Sequence, residues 1–324
     1  MSALSLQPAT EAQIAAILDD TWSVWGEGLD RASYVRWNQA TLRTPWARER
    51  LRILVLADAD GHVHASVKRY RFDAVLDGTA TRLCGLGAVH TPAALRGRGY
   101  ASMLVEQLLE QERQAGVRLA ALFSEIGPSF YEHLGFEAVA LDEVTLAVDH
   151  TGGAPAMLVR AGAERDLLDI AAMHGTRAGS ARFALRKDAA WIHHALVRKR
   201  LLAGLGPPGL RQLEFFVAEE GASAVAFVVL SVNRHGWTIE DAGDRDPAGA
   251  RLGAMLESLV AREPRARPAV IKAWWPAGFP VPPQLRIAER GRAVGSLLML
   301  RSLDETPVPT LAAGEVFYWH GDSF

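Results

Sequence analysis

The stretch RGRGYA at residues 96–101 decides the interpretation of this chain, which is 324 residues long. It follows a predicted strand, residues 81–89, and precedes a predicted helix whose apolar residues keep helical spacing up to Gly116. The first amides of a helix have no partner within the helix, and the helix dipole adds positive partial charge there. Glycines let an anion approach such a backbone closely, so the stretch predicts a phosphate-binding turn.

Two common phosphate-binding motifs fit this turn poorly. A P-loop has Lys and then Ser or Thr after its second glycine, whereas Tyr100 and Ala101 stand here. The dinucleotide fingerprint needs a further glycine shortly after Gly99, although alanine is sometimes allowed in that role. On the turn alone, a solvated helix start that binds no ligand remains an alternative.

A second motif follows after a predicted strand at residues 117–123: the segment PSFYEHLGF at residues 128–136. Together the turn and this segment resemble two ordered motifs of the GCN5-related N-acetyltransferases (GNAT). The family pattern Arg/Gln-x-x-Gly-x-Gly/Ala is matched at Arg96, Gly99 and Ala101. The pattern Phe/Tyr-Tyr-x-x-x-Gly-Phe is matched by the second segment, and the resemblance covers roughly residues 1–148.

The resemblance implies an enzyme of the EC 2.3.1 type, an acetyl-CoA-dependent N-acyltransferase that uses acetyl-CoA as co-substrate and needs no metal. Tyr131 would protonate the departing thiolate, because a phenol and a thiol have pKa values of similar size. A strand would contact the pantetheine arm and the turn would hold the pyrophosphate. The implied coenzyme-binding residues are Gly87, Ala88, Val89, Arg96, Gly97, Arg98, Gly99, Tyr100 and Ala101.

A base must remove the proton of the acceptor ammonium, whose pKa lies near 10.4. Glu125, at the end of a predicted strand, is the best internal candidate; it would otherwise bind the ammonium or cap the helix after Pro128. The chain has a predicted tandem layout, in which the order of elements repeats. In this it also resembles the bacterial enhanced-intracellular-survival acetyltransferases, which use their terminal carboxylate as the base. The carboxylate of Phe324, at an aromatic end of the chain, is therefore another candidate, and a water chain is a third.

Other residues that can carry chemistry are interpreted as structural. Cys84, the one cysteine, has no activating base near it in the sequence, so packing is favoured. His90 is interpreted as an exposed loop histidine, and the basic residues 198–200 as the solvated face of a helix. Aromatic residues of the first two helices are interpreted as core, although the family forms its acceptor cleft from those helices: Trp22, Trp25, Tyr34 and Trp37.

The order of predicted elements indicates an α/β (α+β) protein with a mixed central sheet flanked by helices. Small, uncharged residues at 151–155 predict a linker, after which the order of elements loosely repeats. We expect a catalytic acetyl-CoA-binding GNAT domain at 1–150 and a degenerate GNAT-like domain at 156–324 that completes the acceptor pocket. In the second domain the strand-to-helix turn at 241–247 contains three acids, which would repel pyrophosphate.

Composition narrows the partners. The net charge is −2 and 49% of the residues are hydrophobic, so no overall basic field indicates nucleic acid binding. No apolar run reaches the ~20 residues of a membrane span. We therefore expect a cytoplasmic protein, either monomeric or oligomeric, that acetylates a small-molecule amine such as an amino acid or polyamine. Protein lysine or N-terminal acetylation and non-catalytic acetyl-CoA sensing are the alternatives. Residues 91–101 and 123–131 also resemble the fungal lysine N-acetyltransferases.

Overall fold

The computed structural model describes residues 4–148, 157–262, 270–276, 278–293 and 296–324, and these residues form two β-sheets with helices packed against them. The predicted linker at 151–155 lies outside the described residues. The helices are α1 (Glu11–Trp25), α2 (Arg31–Leu42), α3 (Pro45–Arg50), α4 (Tyr100–Gln114), α5 (Ser129–Glu132), α6 (Leu167–Ala178), α7 (Ala189–Leu205) and α8 (Ala250–Arg262). The strands are β1 (Ser5–Pro8), β2 (Leu51–Ala57), β3 (Val63–Leu76), β4 (Thr79–His90), β5 (Leu119–Ser124), β6 (Glu137–Val139), β7 (Asp142–Val148), β8 (Leu158–Ala161), β9 (Phe183–Leu185), β10 (Gln212–Glu220), β11 (Ser223–Asn233), β12 (Gly236–Asp244), β13 (Ile271–Trp274), β14 (Leu285–Arg292), β15 (Leu297–Ser302) and β16 (Val316–Phe317).

Local sequence signals explain where several elements begin and end. The Thr10 side chain accepts from the Gln13 amide at 3.2 Å, and the Gln13 side chain accepts from the Thr10 amide at 2.9 Å, so a capping box opens α1 as predicted. Asp77 and Gly78 have φ values of 47° and 74°, which is the backbone of a tight hairpin between β3 and β4.

The first sheet has the strand order β1-β2-β3-β4-β5-β15-β6. Strands β4 and β5 run parallel, and α4 forms the crossover between them. One face of α4 is buried against this sheet, and each buried leucine contributes about 2 kcal/mol of apolar transfer free energy. The buried residues of that face include Leu104, Val105, Leu108 and Leu109.

The second sheet has the strand order β14-β7-β13-β12-β11-β10-β8, and the two sheets exchange strands. Strand β7 lies between β13 and β14, while β15 lies between β5 and β6. Residues 137–148, whose composition predicts one strand, form two instead, because β6 and β7 pair in different sheets. The mixed α/β fold class is confirmed, and the boundary between domains near 150–156 stays a prediction.

Candidate active site

A cavity of about 380 Å³ lies where the first sheet meets the second half of the chain. Both halves contribute to its walls, so neither half forms it alone. Strands β3, β4 and β5, the first two helices, helix α7 and the last residues of the chain all reach it. Its lining includes Trp25, Tyr34, Trp37, Lys68, Gly87, Ala88, Val89, Glu125, Tyr131, Arg198, Glu240 and Phe324.

Strand β4 separates from β5 where it enters the cavity. The parallel pairing runs from Leu83–Leu119 to Leu86–Leu122 and stops there. Ala88 follows with a φ of +48°, and the register with β3 shifts at this point, which marks a β-bulge. A bulge leaves a residue outside the ladder, so part of the backbone of residues 87–89 is not paired with a neighbouring strand. That this backbone binds the coenzyme stays a prediction.

The turn at residues 96–101 has open space around its glycines. Gly97 and Gly99 have φ values of +75° and +79°, and no described atom lies within 4 Å of a Cβ placed at either residue. Helix α4 begins at Tyr100, and its N-cap residue Gly99 has no side chain to satisfy the first amides. The Arg96 Nε donates to the Thr91 carbonyl at 3.2 Å, which fixes the turn. The geometry suits an anion at the helix start.

Tyr131 and Glu125 both line the cavity, and their catalytic roles stay predictions. The Tyr131 ring lies 4.9 Å from the Phe130 ring, and only 8% of Tyr131 is exposed. Burial, reinforced by the charge of Glu125, raises the pKa of Tyr131 to about 12, so the phenol keeps its proton. Glu125 is exposed and accepts a hydrogen bond from Trp25 Nε1 at 3.4 Å.

The ring of Phe324 packs on the face of the first sheet, 5.1 Å from Tyr70 and 4.9 Å from Phe72. A Cβ placed at Gly85 would lie 2.6 Å from this ring, and one at Gly87 would lie 3.3 Å from the Phe324 carbonyl oxygen. These glycines therefore make room for the chain's own last residue. The β-bulge of this strand lies one residue further, at Ala88.

Buried ionic contacts hold the C-terminal tail, residues 316–324, in this position. Lys187 Nζ lies 2.7 Å from Asp322 Oδ1, and both side chains are at least 96% buried. Asp322 also accepts from the Trp319 amide at 2.9 Å, and Arg198 Nη2 donates to the Ser323 carbonyl at 2.5 Å. The tail is thus an ordered wall of the cavity.

Two interpretations of basic and aromatic residues change with the structure. Arg198 and Lys199 line the cavity, so their assignment to a solvated face is wrong; Arg200 is exposed. Trp25 and Trp37 also line the cavity rather than the core alone. The signal for α7 was available, because a helix with apolar residues all around its circumference is buried on more than one face.

His90 and Cys84 are both buried, which contradicts the interpretation of His90 as exposed and agrees with the interpretation of Cys84 as a packing residue. His90 ends β4, is 7% exposed and lies 3.5 Å from Asp20, so the exposed-loop interpretation is wrong. The strand continues one residue further than predicted and carries the imidazole under α1, beside Trp25. Cys84 is fully buried, which raises the pKa of its thiol, so its interpretation as packing is confirmed.

In the second half, β12 continues to Asp244, so the turn predicted at residues 241–247 is wrong in its bounds: it lies at residues 245–249, and Asp241 is part of the strand. Two of the three acids still bind the start of the helix. Asp244 accepts from the amides of Asp246 and Leu252, each at 2.8 Å, and Asp246 accepts from the Ala248 amide at 2.9 Å. These carboxylates satisfy the amides that open α8, as side chains do at capped helices. No helix in the described part of the chain is both long enough and apolar enough to span a membrane.

Comparison with known proteins agrees with this geometry. Residues 6–139 match the model of the acetyltransferase (GNAT) domain family. No curated protein matches the chain significantly. Among solved structures, a GCN5-related N-acetyltransferase from Kribbella flavida is 20% identical, with a TM-score of 0.69 over 94% of this chain and 72% of that one.

Two further solved structures share the fold. A probable N-acyltransferase from Enterococcus faecalis is 13% identical, with a TM-score of 0.69 over 93% of this chain and 73% of that one. Eis1 from Mycobacterium abscessus is 12% identical, with a TM-score of 0.58 over 93% of this chain and 74% of that one. These matches extend the shared fold across both sheets. The family model confirms the resemblance that the motifs predicted, over residues 6–139: this part of the chain matches the acetyltransferase (GNAT) domain.

Proposed function

We propose that this protein transfers an acetyl group from acetyl-CoA to a primary amine of a small molecule bound in the cavity. One observation carries the proposal. One cavity is lined by Tyr131, whose phenol keeps its proton, by the two candidate bases Glu125 and Phe324, and by the backbone of residues 87–89. The uncapped start of helix α4 follows β4 along the chain. The family of residues 6–139 supports acetyl-CoA as the donor.

The donor side of the site fits a coenzyme with a pyrophosphate and a long arm. The turn at residues 96–101 offers unpaired amides and room for phosphate oxygens. The bulge at Ala88 exposes the backbone of β4 between that turn and the cavity. Acetyl-CoA would supply the activated thioester, and this chain would supply the groups that bind it and move protons.

The proposed reaction is direct transfer. The amine nitrogen forms a bond to the acetyl carbonyl carbon, and the carbon–sulfur bond breaks. The departing sulfur takes the proton of the Tyr131 hydroxyl, and a base takes the proton of the amine. A backbone amide of residues 87–89 would stabilise the negative charge on the carbonyl oxygen, which is worth about 3 kcal/mol per good donor in other acyl-transfer sites.

Glu125 and the carboxyl group of Phe324 are the two candidates for the base, with a water chain as the third. Glu125 lies at the exposed mouth, held by Trp25. The Phe324 carbonyl carbon lies beside Gly87 on the strand that would hold the thioester, 3.4 Å from a Cβ placed there. Glu125→Gln and the addition of one glycine after Phe324 separate these roles, because the variant that removes the base loses turnover.

The form of the cavity favours a small acceptor over a protein. Walls from both halves surround about 380 Å³, which is in the usual range of small-molecule sites. Acetylation of a protein lysine or N-terminus would need an open groove. An acetyl-CoA sensor would need no buried acid such as Tyr131.

The proposal is tested by measuring free thiol release from acetyl-CoA with a panel of amines. The panel contains amino acids, polyamines and a lysine-containing peptide, and buffer without an amine is the control. We expect turnover with at least one small amine. Turnover with the peptide alone would indicate protein acetylation, coenzyme binding without turnover would indicate a sensor, and failure to bind coenzyme A would contradict the proposal.

A further inference from the structure

Two cations in the cavity have no acidic side chain as a partner. Lys68 projects from β3 and Arg198 from α7, and both line the cavity. Among the residues that the structure describes, neither forms an ion pair with an Asp or Glu side chain. Unpaired cations that are partly removed from water are costly, so their position calls for a functional explanation.

Lys68 is held by a neutral group. Its Nζ donates to the Asn38 Oδ1 at 2.7 Å, and Asn38 Nδ2 donates to the Tyr34 carbonyl at 3.0 Å. Asn38 is only 3% exposed, so this arrangement is part of the packed wall. An ammonium has three donors, and the bond to Asn38 uses one of them.

Arg198 adds a second charge close to the first. Its Nη2 donates to the Ser323 carbonyl, and a guanidinium has five donors. Burial and then the charge of Arg198 lower the pKa of Lys68 to about 8. The same two cations, after burial, help to lower the pKa of His194 to about 3. The two cations therefore lie within electrostatic reach of each other.

Three other titratable side chains near this pair, on the same helices and strand, are neutral near pH 7. Burial raises the pKa of Tyr34 on α2 and of Tyr70 on β3, and His194 on α7 is uncharged because its pKa is low. No Asp or Glu side chain of α2, β3, α7 or the C-terminal tail lines the cavity. The carboxyl group of Phe324, in the tail that Arg198 contacts, is the one acid that these elements contribute.

Other cations of the same cavity are matched by acids. Lys199 Nζ lies 2.8 Å from Glu240 Oε2, and Arg211 Nη2 lies 3.2 Å from Glu27 Oε2. Glu240 is further bound by His320 Nδ1 at 2.9 Å. Lys199 and Arg211 thus have acidic partners, whereas Lys68 and Arg198 have no Asp or Glu partner among the described residues and form a positive region of the cavity.

We propose that Lys68 and Arg198 bind a carboxylate of the acceptor, so that the acceptor is an amino acid or another small amine that carries an acid group. This inference rests on the proposed acetyl transfer and specifies its acceptor. A carboxylate accepts hydrogen bonds from both cations, and the planar guanidinium suits it well. A polyamine would be repelled by the same pair.

The first test compares acceptors that differ only in the carboxylate: phenylalanine with phenethylamine, leucine with isopentylamine, and lysine with cadaverine. We expect a higher kcat/KM for the carboxylated member by at least about tenfold, since a hydrogen bond to a charged group contributes that much. Lys68→Met should remove this preference by lowering kcat/KM for the carboxylated member alone. Lys272→Met, an exposed lysine on β13, is the matched control.

The second test supplies Lys68 with a carboxylate from the protein itself. Asn38→Asp places a carboxylate where the amide oxygen now accepts from Lys68, with almost no change in shape. Calorimetry with 3-phenylpropanoate, a carboxylic acid without an amine, should detect binding to the wild type. The binding should weaken at least about tenfold in Asn38→Asp and in Lys68→Met, and persist in Lys272→Met.

The outcomes separate this inference from the proposed function. Transfer to amines without preference for the carboxylated member, or an equal loss for both members in Lys68→Met, would overturn the inference and leave acetyl transfer standing. Binding of 3-phenylpropanoate as expected, with no transfer to any amine, would contradict acetyl transfer and support the anion site. Equal binding by all variants would also overturn the inference.

Discussion

The turn at residues 96–101 and the turn at residues 245–249 each follow a strand and precede a helix, but they differ in how the amides of that helix are bound. In the first, Gly97 and Gly99 leave open space before the amides of α4. In the second, Asp244 and Asp246 accept hydrogen bonds from the amides that open α8. A helix start can bind a ligand anion only where the chain has not already supplied one.

The strands before these turns show the same contrast. Strand β12 pairs with β13 as far as Ile239–Ala273 and then bulges at Glu240, much as β4 leaves β5 and bulges at Ala88. In the second half the C-terminal tail fills the gap: Gly321 packs against the Glu240 backbone, and the His320 ring lies 4.9 Å from Trp274. The second half thus has a similar strand bulge before a helix, with its own acids and the C-terminal tail packed there.

The largest effect should come from removing the hydroxyl group of Tyr131, which has no counterpart in the sequence of the second half. The segment after β13, residues 273–279, has no tyrosine in the position of Tyr131. Tyr131→Phe should lower kcat by about 10²–10⁴-fold, the usual contribution of a general acid, and leave coenzyme binding unchanged. Steady-state kinetics and calorimetry measure the two quantities.

Tyr318→Phe is the matched control, since Tyr318 is buried outside the cavity lining and its hydroxyl has no partner among the described residues. Its turnover should stay at the wild-type level. Wild-type turnover in Tyr131→Phe would show that the departing sulfur takes its proton from another group.

The next effect concerns the tail that closes the second half. Lys187 stands between two carboxylates, 2.7 Å from Asp322 and 3.3 Å from Asp241, and it is almost fully buried. Lys187→Met should lower the free energy of unfolding by about 3–5 kcal/mol, because it leaves buried acids without their cation. Urea unfolding measures this, with the exposed Lys272→Met as control; equal midpoints would contradict a structural role for the cluster.

Two buried lysines, Lys68 and Lys187, differ in whether acidic side chains surround them, and this gives a smaller expected effect. The acids around Lys187 raise its pKa against burial, whereas burial lowers the pKa of Lys68, which has no such partner, to about 8. Lys68 carries its charge below that pH and loses it above. Binding of 3-phenylpropanoate should therefore weaken by up to about tenfold per pH unit above the pKa. Calorimetry between pH 6 and 9 measures it, and a constant affinity would contradict the role of Lys68.

Much of the fold could be predicted because its signals are local. The apolar run at residues 51–57, the Asp77-Gly78 hairpin and the amphipathic helix after Gly99 depend on neighbours within a few residues. The exchange of β7 and β15 could not be predicted, because strand pairing across more than 100 residues leaves no periodic mark in the sequence. The division of residues 137–148 into two strands follows from that exchange.

The candidate site divides in the same way. Tyr131 and the phosphate-binding turn were predicted because each belongs to a short motif. Lys68 and Arg198 were not, since they are 130 positions apart and only the packing of α7 against α2 brings them to one cavity. Sequence alone predicted the donor side of the reaction, and the acceptor side required the structure.

The most direct test of the contrast between the two turns places an acid in the turn at residues 96–101, as in the turn before α8. Gly99→Asp would place a carboxylate at the start of α4, and Gly99→Asn is the neutral control, which tolerates the same positive φ. Calorimetric titration with coenzyme A should give one site per chain in the wild type, binding in Gly99→Asn, and affinity at least about tenfold weaker in Gly99→Asp. Two sites per chain, or equal affinity of the Asp and Asn variants, would contradict a single coenzyme site at the open turn.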